Sequence, residues 1–303
     1  MFGVYNLEYM RKIFKIIIDK LKTYIKYNFK NNKTMNKVDI KKIISQENYL
    51  TDRANFDLGD VYFLCIDLLN NIQCIYSISC ENEVSTFFDA QILKNFHLAV
   101  LNTIRRHTNI ALLSMRQVLE SISLFVFSME KQKFSDYNII KSANQIIEYD
   151  ENIILDSYKY IESKYPEISI YLEVYKDTIN YYYSHANILS SQYNSTVINN
   201  RIKVLIFDDY IDDYIRGVLL TLNELMILTL KIYKKLEKDY KIYSLDIGFE
   251  EELSKLIERH QKIKTDILNL NKSEKKDEYR IVDNIIKKKK EKYKDKLPDD
   301  FMF

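Results

Sequence analysis

Glycine and proline are nearly missing: the chain has 4 and 2 of them in 303 residues. Glycine loops that cradle phosphates, turn-rich β-sandwiches and doubly wound sheets all need more of both, so those architectures drop out. Cysteine is scarce as well. Cys65, Cys74 and Cys80 stand nine and six residues apart, an odd set with no C-x-x-C pair. This points away from a zinc site and from a secreted disulfide framework. No apolar run reaches the length of a membrane span, and Glu8, Arg11, Lys12 and Lys15 interrupt the first residues before they could form a signal peptide. A cytoplasmic protein without a transmembrane segment is therefore expected.

What remains suits helices. Apolar residues recur at alternating spacings of four and three, the period of a helix packed against helices. The longest such stretch runs from about Asp89 to Lys131 and reads as one helix, with a seam of His97, Leu101, Ile104, Thr108, Ala111, Met115, Val118, Ile122, Phe125 and Met129. A second follows Pro166, a residue favoured in a helix's first turn, through Tyr171, Val174, Thr178, Tyr181, His185 and Ile188. A third opens among Asp208, Asp209, Asp212 and Asp213, acids suited to the positive end of a helix dipole, and runs through Ile215, Leu222 and Leu225 to Leu236. Those acids also offer oxygen ligands to a cation, but their position favours a solvated helix start.

Tyr5 to Lys30 reads as an amphipathic helix, Asp60 to Cys80 as a buried one, and Asp136 to Lys164 as helix with breaks. Between Ser195 and Phe207, β-branched residues flank Asn199 and Asn200, the pattern of a short β-hairpin. From Glu250 to Lys296 a charged helical pattern returns, interrupted near Asn269 to Glu274. The expected fold is an all-α helical bundle over residues 46–245, with a basic amphipathic helix in residues 1–45 and a charged helical extension in residues 246–303.

The formal charge of +2 conceals basic ends. Residues 9 to 33 carry eight lysines and arginines against Asp19, and residues 272 to 296 carry 11 basic against 6 acidic side chains. Lys287, Lys288, Lys289 and Lys290 are consecutive, a run that offers contacts to phosphates or to an anionic membrane surface, although a solvated face is the favoured reading.

Within the long stretch, Arg105, Asn109, Arg116 and Glu120 lie four, seven and four residues apart and so share one helix face. Arg116 and Glu120 are spaced for an ion pair. An ordinary polar stripe at the bundle edge is one reading of this set, and an arginine held for an anion is the other. His185 sits in an apolar seam, as a hydrogen-bonded core residue or as a general base with a near-neutral pKa. His107, after two arginines, is expected to face solvent. His260 falls on a charged helix, and neither has a second His or Cys at metal-ligand spacing, so metal catalysis is disfavoured.

Ser114 to Glu120 (S-M-R-Q-V-L-E) together with Lys176 to Asn187 (K-D-T-I-N-Y-Y-Y-S-H-A-N) resembles the HEPN superfamily of helical-bundle proteins, over about residues 85 to 240. In particular it is similar to bacterial members in which an Arg-x-x-x-Glu helix is followed by a Tyr-x-His segment. The resemblance implies RNA binding or metal-independent RNA cleavage in toxin-antitoxin, abortive-infection or other defence systems, with no cofactor. It also implies a homodimer in which two R-x4-6-H motifs face each other. His185 matches the motif's histidine.

The motif's arginine has no match, because the permitted positions are Thr178, Ile179 and Asn180. Asn180 stands where the shortest form has its arginine, and it donates hydrogen bonds without a charge. Arg116, held by Glu120, or Arg105 is the candidate to supply that charge. Asn109, Tyr183 and Asn187 join Arg105 and the lysine run as candidate RNA contacts. A non-catalytic adaptor that binds a partner protein is the alternative.

Overall fold

The computed structural model describes residues 39–75, 83–131, 151–180, 195–198, 201–204, 207, 212–240, 245 and 248–270. The chain divides into two compact units, Met1–Gln46 and Glu47–Phe303. Tyr5 to Lys30, most of Asp136 to Glu151 and everything after Leu270 lie outside the described residues, as do His185, Tyr183, Asn187 and the lysines 287 to 290.

Among the described residues there are eight α-helices: α1 (Ile40–Leu58), α2 (Asp60–Ile75), α3 (Glu83–Ile104), α4 (Thr108–Lys131), α5 (Glu151–Lys164), α6 (Pro166–Ile179), α7 (Asp212–Tyr240) and α8 (Phe249–Leu270). Strands β1 (Ser195–Ile198) and β2 (Arg201–Val204) pair antiparallel, with Ile198 opposite Arg201 across the Asn199–Asn200 loop.

Helix α7 is the centre of the bundle and packs against α2, α3, α4, α6 and α8. Leu219, Leu222, Leu225, Met226, Leu228, Leu230 and Tyr233 are all buried along it, so apolar residues lie nearly all round this helix, as a bundle's central element requires. Proline stands at the start of α6, where its missing N–H costs nothing. α1 was not foreseen as a separate element. In the second unit it buries Leu50, Ala54 and Leu58, a narrow stripe that gives a weak periodic signal. Gly59 links it to α2 at a φ of +60°, a conformation that glycine adopts without strain.

The single helix expected over Asp89 to Lys131 is two antiparallel helices, α3 and α4. Arg106 takes the left-handed conformation at a φ of 61°. Its amide donates to the Thr103 carbonyl at 3.0 Å and that of His107 to the Asn102 carbonyl at 2.7 Å. These two bonds satisfy the last carbonyls of α3 in the usual manner of a glycine-terminated helix, here with arginine in the glycine's place. The His107 carbonyl then accepts from the amides of Ile110 and Ala111, and α4 begins. Ser121 Oγ donates to Gln91 Oε1 at 3.3 Å across the hairpin. The seam through Ile104, Thr108 and Ala111 kept its period across a three-residue turn, and no glycine marked the break.

α4 is also the helix, among the described residues, long and apolar enough in composition to cross a membrane, yet most of that stretch is buried inside the bundle. The core helix of any bundle passes the same test.

Candidate functional site

The break at Arg106 divides the proposed polar face. Arg105 lies in the turn, while Asn109, Arg116 and Glu120 stay together on α4. Arg116 Nε donates to Glu120 Oε1 at 3.2 Å, and both side chains are about a third exposed. Among the described residues the terminal nitrogens of Arg116 have no hydrogen-bond partner. Its guanidinium is thus held at one edge and open at the fork that suits phosphate.

The neighbours of this arginine follow from helix geometry. Ser123 and Phe127 continue the same flank, and lower down α5 covers it: Ser157 Oγ donates to Ser123 Oγ at 3.2 Å, and Tyr160 meets Phe127 edge-on at 5.5 Å. α5 runs in the same direction as α4, so its first residue, Glu151, comes level with about Gln117, and Arg116 lies just beyond that helix end. α6 packs on α4 and runs the other way. Its lower end is tied to α7 by Lys235 with Glu167 and by Tyr165 Oη donating to Asp239 at 3.0 Å. The end of α7 meets Glu130 of α4 through Tyr240. Asn180 stands fourteen residues above Pro166, and Arg116 fourteen above Glu130. At 1.5 Å per residue, both lie about 20 Å up the bundle, on adjacent helices. Asn180 closes α6 as its C-terminal cap.

The lower end is a belt of polar anchors. Glu130 meets Lys164, Tyr160 and Tyr240. Burial pushes its carboxyl up, and the three donors more than offset that, bringing it down to about 2. Such a belt fixes the ends of α4, α5 and α7 relative to one another.

One expectation for a histidine is corrected, and a second histidine lies where the sequence reading did not look. His107 is largely buried, with Nε2 3.0 Å from Glu47 Oε1 and its ring 5.3 Å from that of Phe207. His260 is 2% exposed, because α8 turns Leu253, Leu256, His260, Ile263 and Ile267 inward at spacings of three and four. That 3:4 seam was present in the sequence, masked by the charges around it. His260 Nε2 lies 3.4 Å from Glu224 Oε1, without the alignment of a hydrogen bond. Lys264 Nζ donates to the same oxygen at 2.6 Å, and Tyr175 Oη to Oε2 at 3.2 Å. Burial raises the Glu224 carboxyl, and His260 and Lys264 outweigh it, lowering it to about 2. This quartet joins α6, α7 and α8, with His260 buried and Lys264 reaching it from the partly exposed edge, and has the character of a structural ion pair.

A third buried group is Asp89 on α3, which accepts a hydrogen bond from Tyr233 Oη of α7. Burial pushes its carboxyl up to about 6 despite that bond. No group of three or more His, Cys, Asp or Glu side chains is arranged for a metal ion among the described residues. Cys65 is buried and free, its thiol pushed up to about 12 by burial.

Compared with known proteins, the chain matches no family profile, no curated protein and no solved structure.

Proposed function

We propose that the chain binds RNA and cuts it without a metal ion, at a site built by Arg116 and the residues at and beyond the end of α6. The open fork of Arg116 carries this reading. A guanidinium fixed by Glu120, at the level where α6 ends in Asn180, supplies the positive charge that Asn180 lacks. His185 follows Asn180 by five residues. In the proposed step His185 removes the proton of a ribose 2′-hydroxyl, and the 2′-oxygen attacks the adjacent phosphorus. The bond to the 5′-oxygen breaks and that oxygen takes a proton from water. The products are a 2′,3′-cyclic phosphate and a 5′-hydroxyl. Arg116 donates to the non-bridging oxygens as their charge grows, Asn180 orients the phosphate, and Glu120 positions Arg116. General-base help of this kind is worth about 10²- to 10⁴-fold. A place in a bacterial defence or toxin-antitoxin system, in the cytoplasm, accords with the resemblance.

The test is RNA cleavage in EDTA. Wild type cuts, and His185→Ala loses at least about a hundredfold in rate while keeping its melting temperature. Wild type inert on every RNA tried, or a His185→Ala variant that cuts as wild type does, defeats the reading.

A second reading, a helical module that binds a partner protein or a second copy of itself, is favoured by the outer face of α3 and α4. Leu98, Leu101, Ile110 and Leu113 are all exposed there on either side of the turn, a clustered apolar patch of the kind that marks interfaces. Light scattering tests it with Leu101→Glu and Leu113→Glu, which convert a wild-type homodimer to a monomer if the face joins two copies.

A further inference from the structure

We propose that Glu224 ties the last turn of α6, where the proposed RNA site begins, to the docking of α8, so that α8 acts as a clamp on that site. The proposal rests on the RNA reading and adds to it a positioning residue and a means of control. Helix α7 packs against both α6 and α8, and its Glu224 divides one carboxylate between them. Oε2 accepts from Tyr175 Oη of α6 at 3.2 Å. Oε1 accepts from Lys264 Nζ of α8 at 2.6 Å, with His260 Nε2 of the same helix 3.4 Å away. The two oxygens belong to one rigid plane, so a shift of either is a shift of both.

The α6 side of this link leads to the site. Tyr175 is buried, and the next carbonyl, that of Lys176, accepts from the amide of Asn180, the residue that caps the helix. Asn180 lies about 7.5 Å beyond Tyr175 along the axis. Holding Tyr175 thus holds the turn from which Asn180 meets the phosphate and from which the chain continues to His185.

The α8 side is the one built to let go. Helix α7 keeps Leu219, Leu222 and Leu225 at 0% exposure, whereas α8 seats Phe249, Leu253, Leu256, Ile263 and Ile267 at 6–9%. Its further polar ties to α2 and α7 are Arg259 with Asp67, Glu252 with Asn71 and Glu250 with Lys234, all on largely solvated side chains that contribute little. His260 is the most buried side chain of α8, and neither ring nitrogen has an aligned hydrogen bond, which opposes docking. Such an element opens locally at lower free energy than the bundle unfolds. When α8 lifts, Lys264 and His260 leave together. The largely buried Glu224 is then uncompensated, and it turns toward water or takes up a proton. In either form it holds the Tyr175 hydroxyl less well, and the end of α6 loosens.

The test is hydrogen exchange of the full chain without RNA, read by mass spectrometry on α8, on residues 175–180 and, as an internal control, on α3 and α4. Lys264→Met speeds exchange in α8 and, by about tenfold or more, in the last turn of α6, and leaves α3 and α4 as in wild type. Linkage is reciprocal, so Tyr175→Phe speeds α8 as well as the last turn of α6. In the double variant α6 exchanges no faster than in Tyr175→Phe alone, because the link is already cut. Lys264→Arg keeps the cation and matches wild type in both helices. In RNA cleavage, Tyr175→Phe lowers kcat by about tenfold or more with KM unchanged. Exchange at α6 that ignores Lys264→Met, exchange at α8 that ignores Tyr175→Phe, or additive effects in the double variant would each overturn the proposal. Acceleration spread equally over α3 and α4 would overturn it too, by reducing the cluster to a general stabilising contact. A wild type that cuts RNA while Tyr175→Phe keeps full kcat overturns the positioning role. Coupled exchange in a wild type that cuts no RNA supports the link between α6 and α8 and defeats the RNA reading alone.

Discussion

Replacing Asp89 with asparagine stabilises the protein at neutral pH and does nothing for it in mild acid. Asp89 is 7% exposed, and its carboxyl is pushed from 3.8 to about 6 by burial, which the Tyr233 hydroxyl opposes only in part. A carboxyl whose pKa is raised on folding binds its proton more tightly in the folded state. Below about pH 4 both states hold the proton and nothing is lost. Between about pH 4 and 6 the unfolded state ionises first, so stability falls as pH rises, and above about pH 6 the whole cost is present. A shift of about two units corresponds to about 3 kcal/mol. Asparagine keeps an oxygen for the Tyr233 hydroxyl and has no charge to desolvate. Urea unfolding followed by circular dichroism, at several values from pH 4 to 8, should give Asp89→Asn a gain of about 2–3 kcal/mol at pH 8 that shrinks to nearly nothing at pH 4. Tyr233→Phe removes the opposing bond and makes wild-type stability steeper in the same window. A gain that stays flat with pH, or a loss at pH 8, refutes the argument.

Lys264→Met removes the nearest cation from the largely buried Glu224 and costs about 1–3 kcal/mol at pH 7 in the same unfolding assay. Glu224 is a carboxyl held low in the folded state, so its contribution is present above about pH 4.5 and fades toward pH 2, and the penalty of Lys264→Met fades with it. Gly59→Ala meets no atom within 4 Å, so its cost is conformational alone, about 1–2 kcal/mol, seen as a melting temperature lower by a few degrees. Deleting residues 272–303 removes Lys287 to Lys290, and the slope of log affinity for RNA against log salt should become shallower; an unchanged slope takes the tail out of the binding surface.

The starts of α6 and α7 were legible because Pro166 and the acids before Leu219 punctuate strong seams. The α3–α4 turn was not. Its helix stop is written in backbone conformation at Arg106, a residue that sequence reasoning does not associate with a positive φ, and the seam resumes in phase on the other side. The Arg116–Glu120 pair survived that error, since an offset of four is local to α4. Arg105 did not, because its partnership with Asn109 required an unbroken helix. His260 was passed over for the charges beside it, although a helix's buried face depends only on every third and fourth residue. The exposure of Tyr49 and Phe56 was illegible for a different reason: exposed aromatics on a helix look like core until the fold leaves them uncovered.

The most direct test of the RNA site is charge rescue between α4 and α6, measured as the initial rate of RNA cleavage in EDTA. Arg116→Ala should lose about 10²- to 10³-fold, the usual effect of removing one donor to a developing oxyanion. Adding Asn180→Arg puts a guanidinium at the same level of the bundle, and the double variant should recover at least tenfold over Arg116→Ala alone. A double variant no faster than Arg116→Ala, with the fold intact by circular dichroism, would mean that the two positions do not face one phosphate.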